Sequence, residues 1–156
     1  MNIRIFAFTT ISLLTVLLDQ WTKYLVRHRF VEGKSIKLIG SFIYLTYVKN
    51  RGAAFGIMQG GRWIFILIGA VVSVLILINI KPLTVNGILL LGSSLLLGGI
   101  VGNIIDRLFL GFVTDFIDLR FWPVFNVADS AVDIGLLLVL VYFIFYGNGK
   151  NIKIKP

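Results

Sequence analysis

The stretch Leu83 to Ile105, LTVNGILLLGSSLLLGGIVGNII, runs without a single charged side chain. About 20 apolar residues in a helix rising ~1.5 Å per residue suffice to cross a hydrocarbon layer of ~30 Å, so this segment alone points to a membrane span. Gly98 and Gly102 within it form a small-xxx-small pattern that lets another helix approach closely.

Working outward, Trp63 to Ile80 is equally free of charge and ends at Lys81-Pro82, where the missing proline N–H stops a helix. A further apolar run begins near Ala128 and ends at Tyr146, before Gly147-Asn148-Gly149 and a lysine-rich tail. Toward the N-terminus, Ile5 to Leu18 is uncharged and continues past Asp19 and Lys23 to about Val26. It resembles the apolar part of a signal peptide but has no small-residue cleavage site, so it reads as a retained helix. The expectation is a single integral membrane domain, residues 1–156, with spans at about 5–26, 63–80, 83–105 and 128–146. A hydrophobic content of 58% and a mean hydropathy of +0.95 exclude an ordinary water-soluble fold.

Between the first two spans, Ser35 to Val48 (SIKLIGSFIYLTYV) is β-branched and aromatic with partial alternation, which predicts two strands turning at Gly40-Ser41. The β-containing region is placed at about 35–60. Leu108 to Val127 carries aromatics, Pro123 and acids, with no element assigned. The fold class is therefore an all-α membrane protein of four transmembrane helices with a small β-element between the first two.

The chain has no cysteine, and His28 is its only histidine. Thiolate chemistry is excluded, a serine–histidine triad is disfavoured, and no His-Glu-x-x-His metal motif exists, so neither metal nor cofactor is expected. The net charge of +8 comes from bases in connections and at span ends, which suits anionic lipid headgroups and not nucleic acid. What remains for acid–base work is seven carboxylates.

The alternation of spans puts Asp19, Asn50, Arg51, Asn103, Asp106, Arg107, Asp115, Asp118, Asn126, Asp129 and Asp133 on one side. A carboxylate at the centre of a span costs roughly 2.5–3.5 kcal/mol, so each buried one needs a partner or a purpose. Asp19 has Lys23 at helical spacing and Asp106 has arginine neighbours, so each is either an ion-pair member or a site residue. Asp129 has no cation at such spacing, and Asp115 sits in the apolar frame Phe112 to Ile117. Two carboxylates brought together at a membrane boundary share a proton, one serving as base on a water and the other as acid, as in aspartic proteases.

Five motifs occur in order: Asp19-Gln20-Trp21-Thr22-Lys23, Asn50-Arg51-Gly52-Ala53-Ala54-Phe55, Gly102-Asn103-Ile104-Ile105-Asp106-Arg107, Val113-Thr114-Asp115-Phe116-Ile117-Asp118 and Phe125-Asn126-Val127-Ala128-Asp129-Ser130. Together they resemble the lipoprotein signal peptidases, the bacterial type II signal peptidases. The resemblance implies a monomeric aspartyl endopeptidase with four helices in the bacterial inner membrane, both termini cytoplasmic. The active site and β-cradle would lie at the outer face. Its substrate would be a prolipoprotein, cleaved before a diacylglyceryl-modified cysteine. By motif match the catalytic pair falls on Asp115 and Asp129, and Asp19, Asn50, Gly52, Asn103, Arg107 and Asn126 match positions around the substrate.

Physical roles stand beside that carry-over. Asn103 and Arg107 are spaced i, i+4 and share one helix face. Arg107 either orients the substrate or the catalytic loop, or snorkels to headgroups. Asn126, three residues before Asp129, suits an N-cap, alone or with an amide bond to a catalytic carboxylate. Asn50 is a turn residue or a partner for a substrate carbonyl. Gly52, Ala53 and Ala54 either admit a substrate backbone or pack helices closely. Asp133, a turn beyond Asp129, either adds a third negative charge near the pair or faces Lys23 or another helix.

Six bases from Arg27 to Arg51 lie on the side that the resemblance places outside, against Arg4, Lys81 and three tail lysines on the other. Basic-residue counting weakly favours the inverse orientation; the orientation of the resemblance is kept, because a folded cradle can bind lipid phosphates with those bases. The competing class is a small nonenzymatic carrier or channel, which would spread its acids through the membrane depth.

Overall fold

The computed structural model describes residues 3–52 and 60–146. Five helices and three strands follow in the order α1 (Ile3–Arg29), β1 (Ser35–Ile39), β2 (Ile43–Asn50), α2 (Arg62–Ile78), α3 (Ile80–Leu83), α4 (Gly87–Phe109), β3 (Val113–Asp118) and α5 (Val127–Tyr146). Three of them, α1, α4 and α5, are long and apolar enough to cross a membrane. Helix α2 is apolar but has 17 residues. The run expected over 63–80 is cut at Asn79, and Ile80–Leu83 forms a separate short turn. The third span starts later than expected, because the Asn86 side chain accepts from Ile88 N and Leu89 N and caps the helix there.

Helix α1 shows how the polarity is arranged. Its buried side chains are Phe8, Ser12, Thr15, Asp19, Lys23 and Val26, a stripe at three- and four-residue spacing. Leu13, Leu14, Leu17 and Leu18 point outward. A helix with its polar face inside and its leucines outside is stable when the surrounding medium is hydrocarbon.

The centre of the bundle is α4, against which α1, α2 and α5 all pack. Lipid tails compete equally for apolar side chains, so close backbone approach has to supply the contact. A Cβ on Gly98 would lie 2.7 Å from the Thr15 Cβ, and one on Gly102 2.6 Å from Asp19 Oδ2, so the Gly98/Gly102 pair faces α1. Gly99 faces α5, where any side chain would run into the Ala128 carbonyl oxygen.

Helices α1 and α4 are parallel: Arg4 reaches Thr84 and Val85 at one end, and Lys23 reaches Asn103 near the other. The chain must return between them. Helix α2 makes that return, with Arg62 donating to Leu108 O at 2.8 Å at its start and Ile76 packed on Phe8 and Leu97 toward its end.

The two strands expected in Ser35 to Val48 are present, turning through Gly40 at a φ of 52°. The sheet has a third strand that the sequence reading left unassigned: β3 pairs antiparallel with β2, giving the order β1-β2-β3. Val26, Tyr47 and Phe116 form a small core that fastens the sheet to the end of α1. The part of the expected β-region at 53–59 lies outside the described residues, as do the tail lysines.

Candidate active site

The register of β2 against β3 sets Val48 opposite Asp115 and Asn50 opposite Val113. Alternate residues share a face of a sheet, so Asn50 and Asp115 are diagonal neighbours on the same side. The Asn50 amide donates to Asp115 Oδ2 at 2.9 Å, while its carbonyl oxygen accepts from Gly52 N at 2.9 Å.

After β3 the chain folds back on itself. Phe125 N donates to Ile117 O at 3.0 Å, and Ile117 N to Phe125 O at 2.7 Å, which brings Asn126 beside Asp115. The Asn126 amide donates to Asp115 Oδ1 at 2.7 Å. Its side-chain oxygen accepts from Asp129 N at 2.9 Å, and its own backbone N–H donates to Asp129 Oδ2 at 3.1 Å. The last two bonds form a reciprocal capping box in which an aspartate takes the usual place of glutamate or glutamine. Asn126 is thus both the N-cap of α5 and the link between the two carboxylates.

Asp129 Oδ1 accepts from the Asn103 amide at 2.8 Å. The Asn103 oxygen faces Lys23 Nζ at 2.9 Å and the Asn126 amide at 3.3 Å. Arg107, one turn along α4, donates to Gly52 O at 3.4 Å and to Asn103 O at 3.5 Å, and its guanidinium lies over the Phe65 ring. It therefore faces the site and not the headgroups. Burial, with the Asp129 charge added to it, pushes the Asp115 carboxyl up to about 7, against the opposing effect of the two amides.

Asp19 is placed differently from the expectation of a substrate contact. It is fully buried beneath the site, paired with Lys23 at 2.8 Å, and its Oδ1 accepts from Ala128 N at 2.9 Å. Its negative charge stabilises the N-terminus of α5, where Asp129 begins its turn. Asp106 is also buried, and accepts from Thr114 N at 2.9 Å and from Arg27 at 3.4 Å. Gln20 bridges Asp19 at 3.1 Å and Asp106 at 3.3 Å. The network of Asp19, Gln20, Lys23, Arg27 and Asp106 fixes α1, α4, β3 and α5 to one another. The i, i+4 pairing of Asp19 with Lys23 was legible, but the closing contacts of Asp106 and Thr114 were not.

Asp133 is exposed on the outer surface of α5, where it shares no ion pair with Lys23. Ala53 and Ala54 lie outside the described residues. Among the described residues no three His, Asp or Glu side chains are disposed to hold a metal ion.

The fold is that of a bacterial membrane enzyme. A solved structure described in those words, determined by the in meso method at 2.3 Å, matches with a TM-score of 0.86 and 33% identity, covering 94% of this chain and 93% of that one. A second, at 1.9 Å, matches with a TM-score of 0.82 and 33% identity over 90% of this chain and 94% of that one. Within that class the chain belongs to the signal peptidase II family, whose model, described as "Signal peptidase (SPase) II", matches residues 11–145. The lipoprotein signal peptidase of Halothermothrix orenii is 46% identical over 132 residues, 85% of this chain and 91% of that protein. That of Geobacillus kaustophilus is 42% identical over 150 residues, 93% and 97% of the two chains. Nothing supports the carrier or channel alternative.

Proposed function

We propose that Asp115 and Asp129 are the catalytic pair with which this signal peptidase II cleaves prolipoproteins, on the N-terminal side of a cysteine carrying a diacylglyceryl group. The observation that carries the assignment is Asn126, which bonds to both carboxylates and so holds them to one reaction centre.

A carboxyl that ionises near neutrality beside a second carboxylate leaves the pair sharing one proton below about pH 7. The ionised member takes a proton from water as its oxygen attacks the scissile carbonyl carbon. The protonated member gives its proton to the carbonyl oxygen, forming a neutral tetrahedral diol. Collapse of the diol breaks the C–N bond and hands a proton to the departing amine, restoring the singly protonated pair. Asn50, Gly52, Asn103, Arg107 and Asn126 surround the pair and orient the extended substrate; Asp19 acts from below.

Helix α2 is the fourth crossing in this reading. Its 17 residues span about 25 Å, the short end of what a crossing needs, and it runs from the site end of α4 to the opposite end. The first residue of α1 and the last of α5 then share the cytoplasmic side of the bacterial membrane, with the sheet and the site at the outer face. The pair and its amide partners come from one chain, which suits a monomer. A site at the boundary suits a substrate confined to the same bilayer by its signal helix and its lipid.

The test is cleavage of a lipid-modified prolipoprotein by the purified protein in detergent. Asp115→Asn and Asp129→Asn are each expected to remain folded and to lose activity by at least ~10²-fold. Near-native cleavage by either variant would overturn the assignment.

A further inference from the structure

An open groove of about 460 Å³ runs between the last turns of α1 and the sheet. Leu25, Val26 and Arg29 of α1, Phe30 just after its end, Leu45 of β2 and Phe116 of β3 line it. Phe116 follows Asp115 in β3 and points to the opposite face, so the groove is separate from the catalytic pair.

The depth of the groove follows from the residues next to it. Trp21 and Tyr24 are exposed on α1, the position of an aromatic belt at the membrane boundary. Leu25 and Val26 then lie level with the outer edge of that belt, where acyl chains meet headgroups, and Arg29, one turn further out, reaches the level of lipid phosphates. Arg29 is exposed and joins no ion pair among the described residues, and Glu32, the acid that follows it, is held by Lys49 at 2.9 Å.

We propose that this groove is a binding site for an anionic glycerophospholipid of the surrounding bilayer, with an acyl chain along Leu25, Val26 and Phe116 and the phosphate at Arg29. The substrate's own diacylglyceryl group brings no phosphate, so it has no use for the guanidinium. A chain packed on Phe116 braces β3 from behind and holds Asp115 at its amides. The inference depends on the membrane position of α1 and not on the catalytic assignment.

The experiment is native mass spectrometry of the purified full chain in a neutral detergent, with phosphatidylglycerol, phosphatidylcholine or diacylglycerol added. Retention of one phosphatidylglycerol, roughly fivefold over phosphatidylcholine, is expected of the native chain, and near parity of Arg29→Gln. Leu25→Trp fills the groove and lowers retention of both phospholipids, whereas Lys81→Gln, at the far end of the bundle, leaves the preference unchanged. Undiminished phosphatidylglycerol preference in Arg29→Gln, or diacylglycerol retained as well as phosphatidylglycerol, would overturn the proposal. The same measurement on Asp115→Asn keeps its outcome distinct from that of the peptidase assignment.

Discussion

Lys23 Nζ lies 2.9 Å from the Asn103 side-chain oxygen, in an interior where the lysine has no exposure to solvent. An amide whose oxygen faces a cation must turn its NH₂ the other way, and in Asn103 that group meets Asp129 at 2.8 Å. Lys23 thereby fixes which donor Asp129 receives. The same ammonium pairs with Asp19 at 2.8 Å and Asp106 at 3.7 Å, so two tasks rest on one charge.

Lys23→Met separates those tasks. Left alone, it strands buried carboxylates, which costs on the order of 3–5 kcal/mol, and thermal unfolding in detergent is expected to show a marked fall. Adding Asp19→Asn and Asp106→Asn restores much of the stability. Activity stays low in the triple variant, because the Asn103 amide is no longer held in one orientation. Full recovery of cleavage along with stability would show that Lys23 has no positioning role.

Asn126 allows a similar separation. Asn126→Ser keeps an oxygen able to cap α5 but removes the amide bonded to Asp115. Little change in stability, within about 1 kcal/mol, is expected alongside a kcat reduced by ~10²-fold or more. Retention of most of kcat would mean that the cap alone matters.

The pH dependence follows from Asp115. Its carboxyl is pushed up to about 7 by burial first and by Asp129 second, so the singly protonated pair is lost as pH rises through that value. The alkaline limb of kcat/KM is expected near 7. Asn50→Leu removes a bond that favours the charged form, which raises the Asp115 pKa and moves the limb to higher pH. Stability carries the same sign. A carboxyl raised above its unfolded value of 3.8 favours folding when protonated and loses that contribution as pH climbs through about 7. Asp115→Asn is therefore expected to be more heat-stable than the native chain above pH 7 and to lose that advantage progressively as pH falls from 7 toward 4.

Gly99→Ala tests the packing that carries Asp129. The added methyl meets the Ala128 carbonyl oxygen and the Val132 backbone, so α5 must move away from α4. Loss of activity with a lowered unfolding temperature is expected. Gly87→Ala, where a Cβ meets nothing within 4 Å, is expected to be neutral or to gain up to ~1 kcal/mol.

Much of this protein was legible in one dimension. An apolar run such as Leu83 to Ile105 has one favourable environment, and the hydrocarbon thickness fixes its length, so membrane embedding followed from sequence. Asp115 and Asp129 stood out because an acid in an apolar frame demands a partner or a purpose, and five short motifs in order carried the family. Contacts that join distant parts of the chain were decided by tertiary structure alone. Strand β3 shows no clean alternation because its residues are buried on both faces, so its pairing with β2, and with it the Asn50–Asp115 bond, was not visible. Asp19 carries a motif of the site yet lies beneath it, since only packing decides whether a carboxylate meets substrate or the N–H of Ala128, 109 residues away. Asp133 repeats the helical spacing of Asp129 but faces outward, because the turn between them carries it past the α4 interface. Local chemistry selects the candidates in such a chain, and the close approach of helices through Gly99 and Gly102 determines which of them gather around Asp115 and Asp129.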